Sequence, residues 1–151
     1  MQDELLVILS AMMPIGELRA AIPLAIGVYD IPWRTALLLS IIGNMLPVPF
    51  LVASLKIFGE LLEKRPGLPG SILRWRKTHL SSRVNKYSFW GIVLLVAIPL
   101  PFTGAWTGSF ALWAFNAPLI RGLIAIALGI VIAGIIVTVL TLTGVELIKF
   151  L

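Results

Sequence analysis

Two uncharged apolar runs are long enough to cross a bilayer: Thr35 to Leu55, 21 residues, and the 24 residues that lie between Arg121 and Glu146. A hydrocarbon core of about 30 Å takes roughly 20 helical residues, so these runs predict full spans over 35–55 and 119–143. Two further runs are interrupted. Leu5 to Gly16 supplies 12 residues before Glu17, and Ala20 to Tyr29 ten after Arg19. At 1.5 Å per residue each arm reaches about half the core thickness. Tyr87 to Ile120 is uncharged for 34 residues, but IPLPFTG cuts it after Ala97, and Pro99, Pro101 and Gly104 forbid a smooth helix there.

Two short helices joined by a Pro/Gly break are the pattern of a re-entrant hairpin, which enters the bilayer, turns near its midplane and leaves by the same side. Hairpins are therefore predicted over 5–29, with breaks at Pro14, Gly16 and Pro23, and over 87–116, with breaks at Pro99 and Pro101. The backbone of such a break must be buried in protein or line a wet cavity, because lipid offers it no hydrogen bonds. The competing reading of the first segment is one long kinked span, which puts Glu17 mid-bilayer at a cost of about 2.5 to 3.5 kcal/mol.

The order of elements repeats. Placing Pro14 over Pro101 sets PIGELRAAIPLA against PFTGAWTGSFAL, brings Arg34 over Arg121, and leaves Gly43 and Gly129 one position out of step. Residues 1–55 form the first repeat and 87–151 the second, in a single membrane domain joined by a linker over 56–86. The expected fold is all-α and integral to the membrane: an inverted repeat of hairpin plus transmembrane helix, with a cytoplasmic amphipathic helix between the copies.

Composition agrees with this solvent. Hydrophobic residues make up 59% of the 151, charged residues 13%, and the mean hydropathy is +1.02, against roughly 25% charged in ordinary soluble domains. The chain has no cysteine and one histidine, His79, so no metal site or cofactor is expected. The acidic start MQDE does not read as a secretory signal.

The net charge of +5 is concentrated. Eight of the twelve basic residues fall in 56–86 against Glu60 and Glu63 alone, a local net of +6. The positive-inside rule puts this stretch in the cytoplasm, in preference to a nucleic-acid-binding role. Within it, Leu73, Leu80, Val84 and Tyr87 mark an amphipathic helix suited to an anionic inner leaflet. With that side fixed, the first hairpin opens outward and the second inward. This inverted arrangement is common in secondary transporters, whose broken helices meet at the midplane.

PIGELRAAIPLAIG near the amino terminus, GNMLPVP in the following span and PLPFTGAWTGSFAL in the second half resemble the family of putative small multidrug export proteins, a prokaryotic relative of the DedA superfamily. The resemblance covers essentially the whole chain. It implies an inverted repeat with two re-entrant hairpins in a prokaryotic cytoplasmic (inner) membrane, among proteins linked to lipid scrambling and to flipping of undecaprenyl phosphate.

The chemistry concentrates at the tips. Glu17 and Arg19, two apart, point about 200° away from each other on a regular helix. A carboxylate sheltered from water suits proton carriage, whereas an arginine stays charged and holds a phosphate or carboxylate through its fork. The alternative is a buried Glu17–Arg19 pair that only holds the hairpin together. The second tip offers the hydroxyls of Thr103, Thr107 and Ser109, together with free N–H groups where a helix starts after Gly104, a place that favours an anion.

Gly104 and Gly108 permit close backbone approach, Trp106 gates or fills the cavity, and Asn44 with Pro47 and Pro49 breaks the first span at mid-depth with a polar group wanting a partner. The reading is a proton-coupled secondary transporter, not an enzyme, moving a small or amphiphilic substrate such as a lipid phosphate. The runners-up are an exporter of cationic drugs and a non-transporting scaffold or assembly subunit. Two spans are few to enclose a pathway, so a homodimer is expected, with Gly122, Gly129 and Gly134 on its contact face.

Overall fold

A computed structural model describes residues 2–63, 87–99 and 103–150. Every regular element among them is helical: α1 (Gln2–Met12), α2 (Glu17–Gly27), α3 (Trp33–Met45), α4 (Val48–Glu63), α5 (Tyr87–Ala97), α6 (Ala105–Ala114) and α7 (Leu119–Phe150). The predicted amphipathic helix of the linker, His79 and Pro101 lie outside the described residues.

Both interrupted runs form short helix pairs, α1 with α2 and α5 with α6, and each pair packs within itself. The breaks fall at 13–16 and between the end of α5 at Ala97 and the start of α6 at Ala105, where residues 98, 99, 103 and 104 are described. Pro23 is not one of them. It sits inside α2, where it removes only the bond it would have made to the carbonyl of Arg19, and the helix continues to Gly27.

The apolar runs from Trp33 to Leu61, 29 residues, and from Leu119 to Gly144, 26 residues, are each long and apolar enough to cross a membrane. The first divides between Met45 and Val48, as Pro47 requires, and Pro49 is tolerated because it stands in the first turn of α4. Helix extends beyond the predicted bounds, through residues 56–63 of the expected linker and through Phe150 at the other end. Charge ends an apolar run, but Lys, Glu and Leu remain good helix formers. The outer surface carries large apolar side chains, including Ile15 at 84%, Phe50 at 73% and Ile120 at 73% exposure. An apolar surface of this kind suits a lipid environment.

The turns entering the two long runs match. Asp30 and Asn116, 86 positions apart, both take positive φ near 50°. Two residues later Pro32 and Pro118 each accept the first helical hydrogen bond, from Ala36 and Gly122 at 2.9 Å. The same offset relates Gly43 to Gly129. A Cβ on Gly43 would stand 2.6 Å from the carbonyl oxygen of Ile8 on α1, and one on Gly129 would stand 2.6 Å from the Cβ of Val96 on α5. The structural offset of 86 thus removes the one-position slip left by aligning the prolines.

Across the halves, α2 packs on α7, α6 on α4, and α3 on α7. Leu18, Ile22, Val52, Ile92, Leu112 and Ile126 are buried in the resulting core. The glycines expected at a dimer face are used inside the chain: Gly122 abuts Leu112, Gly129 abuts Val96, and Gly134 meets Leu37 of α3.

Candidate functional site

The breaks of the two helix pairs lie against each other, and local backbone chemistry explains why. α6 starts at Gly104, which has no side chain to cap the helix and lies at φ 156° and ψ −152°, a region essentially reserved for glycine. The first N–H groups of any helix lack intrahelical acceptors. Here Glu17 supplies one from the other half of the chain. Its carboxylate accepts from the N–H of Ala105 at 3.2 Å and of Trp106 at 3.4 Å, while Asn44 Nδ2 on α3 donates to it at 3.4 Å. Glu17 is 6% exposed and Asn44 1%. The positive end of the α6 dipole adds to the attraction.

Arg19 turns the other way. Its Nη2 donates to the carbonyl of Ile98 at the end of α5, at 3.3 Å, and to Thr103 Oγ1 at 3.0 Å. Thr103 also donates to Ile98 O at 2.8 Å. A cation beside the carbonyl end of a helix is favoured for the same reason that an anion is favoured at its start. Among the described residues no ion pair joins Glu17 to Arg19, so the buried pair weighed from the sequence does not form.

The opposite tip answers in kind: Trp106 Nε1 donates to Met12 O at the end of α1, at 3.2 Å. Near the start of its second helix, each pair thus carries a side chain that donates to the closing carbonyls of the other pair's first helix.

Between the tips lies a cavity of about 580 Å³, lined by residues that include Pro14, Gly16, Glu17, Arg19, Thr103, Trp106 and Thr107. Its volume is in the range of small-molecule sites. A second hollow of about 450 Å³ touches Arg19 from the far side and is walled by Pro23, Pro99 and the end of α7, with Leu140 and Thr141. The Arg19 side chain stands between the two. Its Nε is buried and has no hydrogen-bond partner, as is Asn44 Oδ1.

Of the residues singled out from sequence, Glu17, Arg19, Asn44, Thr103, Gly104, Trp106 and Thr107 come together here. Thr107 Oγ1 accepts from the Gly104 N–H at 2.7 Å and donates to its carbonyl at 3.0 Å, which helps hold the unusual backbone. Gly108 stands apart, and a Cβ there would lie 2.5 Å from Val96, so its role is helix packing. Ser109 donates to Ala105 O of its own helix at 2.7 Å and offers nothing to the cavity.

Sequence reasoning missed the carbonyls of Met12 and Ile98, and also Ser40, buried one turn before Asn44 with its Oγ unbonded. The available signal was the helix start at a glycine, which needs an acceptor from elsewhere. No group of three or more His, Cys, Asp or Glu able to hold a metal occurs among the described residues.

No curated protein and no solved structure matches the chain. A family match does exist, extending over residues 17–136, from Glu17 at the start of α2 through the break between Met45 and Val48 and into α7. The chain belongs to the family described as putative small multi-drug export protein.

Proposed function

We propose that this chain is a proton-coupled secondary transporter of the cytoplasmic membrane in which the two helix pairs are re-entrant hairpins, inverted relative to each other, and the cavity between their tips is a substrate site at the midplane. The observation that carries the reading is Arg19. It lines the cavity, reaches across to the opposite tip, and keeps a buried N–H without a partner. An intramembrane guanidinium with an unused donor fits an anionic group on the substrate, and the hollow on its far side leaves room for an apolar body. A small or amphiphilic anion, such as a lipid phosphate, is therefore the preferred cargo. Glu17 carries the proton, and two halves rocking about the interlocked tips give alternating access.

The matched turns at Asp30 and Asn116 and the reciprocal packing of α2 on α7 and α6 on α4 support the pairing of halves. The basic stretch 56–86 orients the protein with that segment inside. A homodimer remains part of this reading, without the α7 glycines as its contact. A second reading, export of cationic drugs held by Glu17, is favoured by the family description.

Uptake into proteoliposomes separates the two. Glu17→Gln is expected to abolish pH-dependent uptake in a folded protein, and Arg19→Lys to impair an anionic cargo far more than a cationic one. The reverse ranking selects the drug reading, and loss of thermal stability in both variants, with no substrate protecting the wild type, selects a scaffold role. Because the chain has no cysteine, single cysteines at Leu5 and Tyr29 test the hairpin directly. Both are expected to label from one face, and labelling from opposite faces overturns it.

A further inference from the structure

The start of α6, a position suited to an anion, is already filled by the protein's own side chain. The two free N–H groups at the start of the ten-residue helix α6 point at the Glu17 carboxylate, and a neutral donor, Asn44 Nδ2, completes its shell. Directly beside it lies the cavity of about 580 Å³, which Arg19 also lines, and the Arg19 Nε is buried nearby without a partner. We infer that Glu17 is an internal competitor for the substrate: an organic oxyanion replaces its carboxylate at the N–H groups of Ala105 and Trp106, and it does so only when Glu17 has taken up a proton. This inference rests on the anionic-substrate reading above and deepens it by coupling one proton to each anion bound.

Electrostatics and hydrogen bonding require the coupling. Two anions cannot share the same pair of N–H groups at close range without strong repulsion. A neutral Glu17, in contrast, changes from acceptor to donor. Asn44 is placed to receive that proton's hydrogen bond: it is 1% exposed, already touches the carboxylate, and its Oδ1 has no partner. Rotating the amide by half a turn presents Oδ1 to the protonated acid.

The other groups facing Glu17 do not titrate in its place. Among the described residues, Arg19 is the one other charged side chain lining the cavity with Glu17, and α3 and α6 present the neutral Asn44 and backbone amides. The incoming anion then has the start of α6, the Thr103 and Thr107 side of the cavity and the Arg19 guanidinium within one space.

The test is binding of benzenesulfonate, whose charge does not change between pH 5 and 9, to the full chain in nanodiscs of zwitterionic lipid. The wild type is expected to gain close to tenfold in affinity per pH unit of acidification over its steep range, with one proton taken up per anion, read from the buffer dependence of the binding heat. Glu17→Gln is expected to bind with the acid-limit affinity at every pH and to take up none. Proton uptake by the wild type alone decides the matter if that variant does not fold.

Binding to the wild type that is independent of pH, with no proton uptake, overturns the inference and leaves the anionic-substrate reading standing. Absence of binding at any pH overturns both. Repeating the titration with phosphatidic acid in the disc assigns the source of the oxyanion. Competition at low pH marks a lipid headgroup as the occupant, and unchanged affinity marks a free solute.

Discussion

Glu17 caps the helix that begins at Ala105, its Oε2 3.2 Å from the Ala105 amide nitrogen across 88 positions of sequence. It is one of the contacts that join the two helix pairs at their breaks. It also explains the glycine beside it, because a Cβ on Gly104 would occupy the space of the carboxylate.

Gly104→Ala is therefore expected to be among the most damaging single-methyl changes in the chain. It combines a backbone conformation worth roughly 1–3 kcal/mol of strain for other residues with displacement of the Glu17 carboxylate. Thermal unfolding in detergent checks it. A melting temperature within a degree of wild type refutes the capping role of Glu17.

The matched glycines give a paired prediction. Gly43→Val and Gly129→Val each force a side chain into the backbone or core of the neighbouring short helix, and each is expected to cost about 1–3 kcal/mol, the usual range for overpacking. Gly91→Ala is the control. A Cβ there meets nothing within 4 Å, and removing glycine from the middle of α5 is expected to leave stability unchanged or raise it by roughly 0.5–1 kcal/mol. The same unfolding assay ranks all three.

Trp106→Phe keeps an aromatic side chain, smaller than the indole, and removes the donor to Met12 O. A loss of at least about 0.5–1.5 kcal/mol follows from one net hydrogen bond, with a bulkier cargo favoured by the wider cavity that Trp106 lines. Thermal unfolding in detergent checks the first, and a stability equal to wild type contradicts the bond between the tips.

Arg19→Lys preserves charge but not the planar guanidinium, whose Nη2 serves both Ile98 O and Thr103 Oγ1 and whose Nε is left without a partner. Affinity for an oxyanion is expected to fall about tenfold, equivalent to roughly 1.4 kcal/mol, measured by calorimetry beside the wild type. Equal affinities remove Arg19 from the substrate site.

Much of this was legible along the chain. The lengths of the apolar runs, the interruptions at 13–16 and after Ala97, and the division of the first long run at Pro47 follow from the cost of burying charge and from proline's missing N–H, which depend on nearby residues alone. The sequence also singled out Glu17, Arg19, Asn44, Thr103, Gly104 and Thr107 as candidates, which lie together at the tips, since polar groups in an apolar stretch need partners wherever they occur.

Only the tertiary structure decided who those partners are. Glu17 went to the start of α6 and Arg19 to the end of α5, and not to each other as the alternative reading had it. Pro23 stayed inside a helix, and the α7 glycines turned inward to Leu112, Val96 and Leu37. The physical reason is distance along the chain. A local pattern sets what a segment can be, but a contact across 88 residues depends on where helices cross, and that depends on the summed packing of both halves.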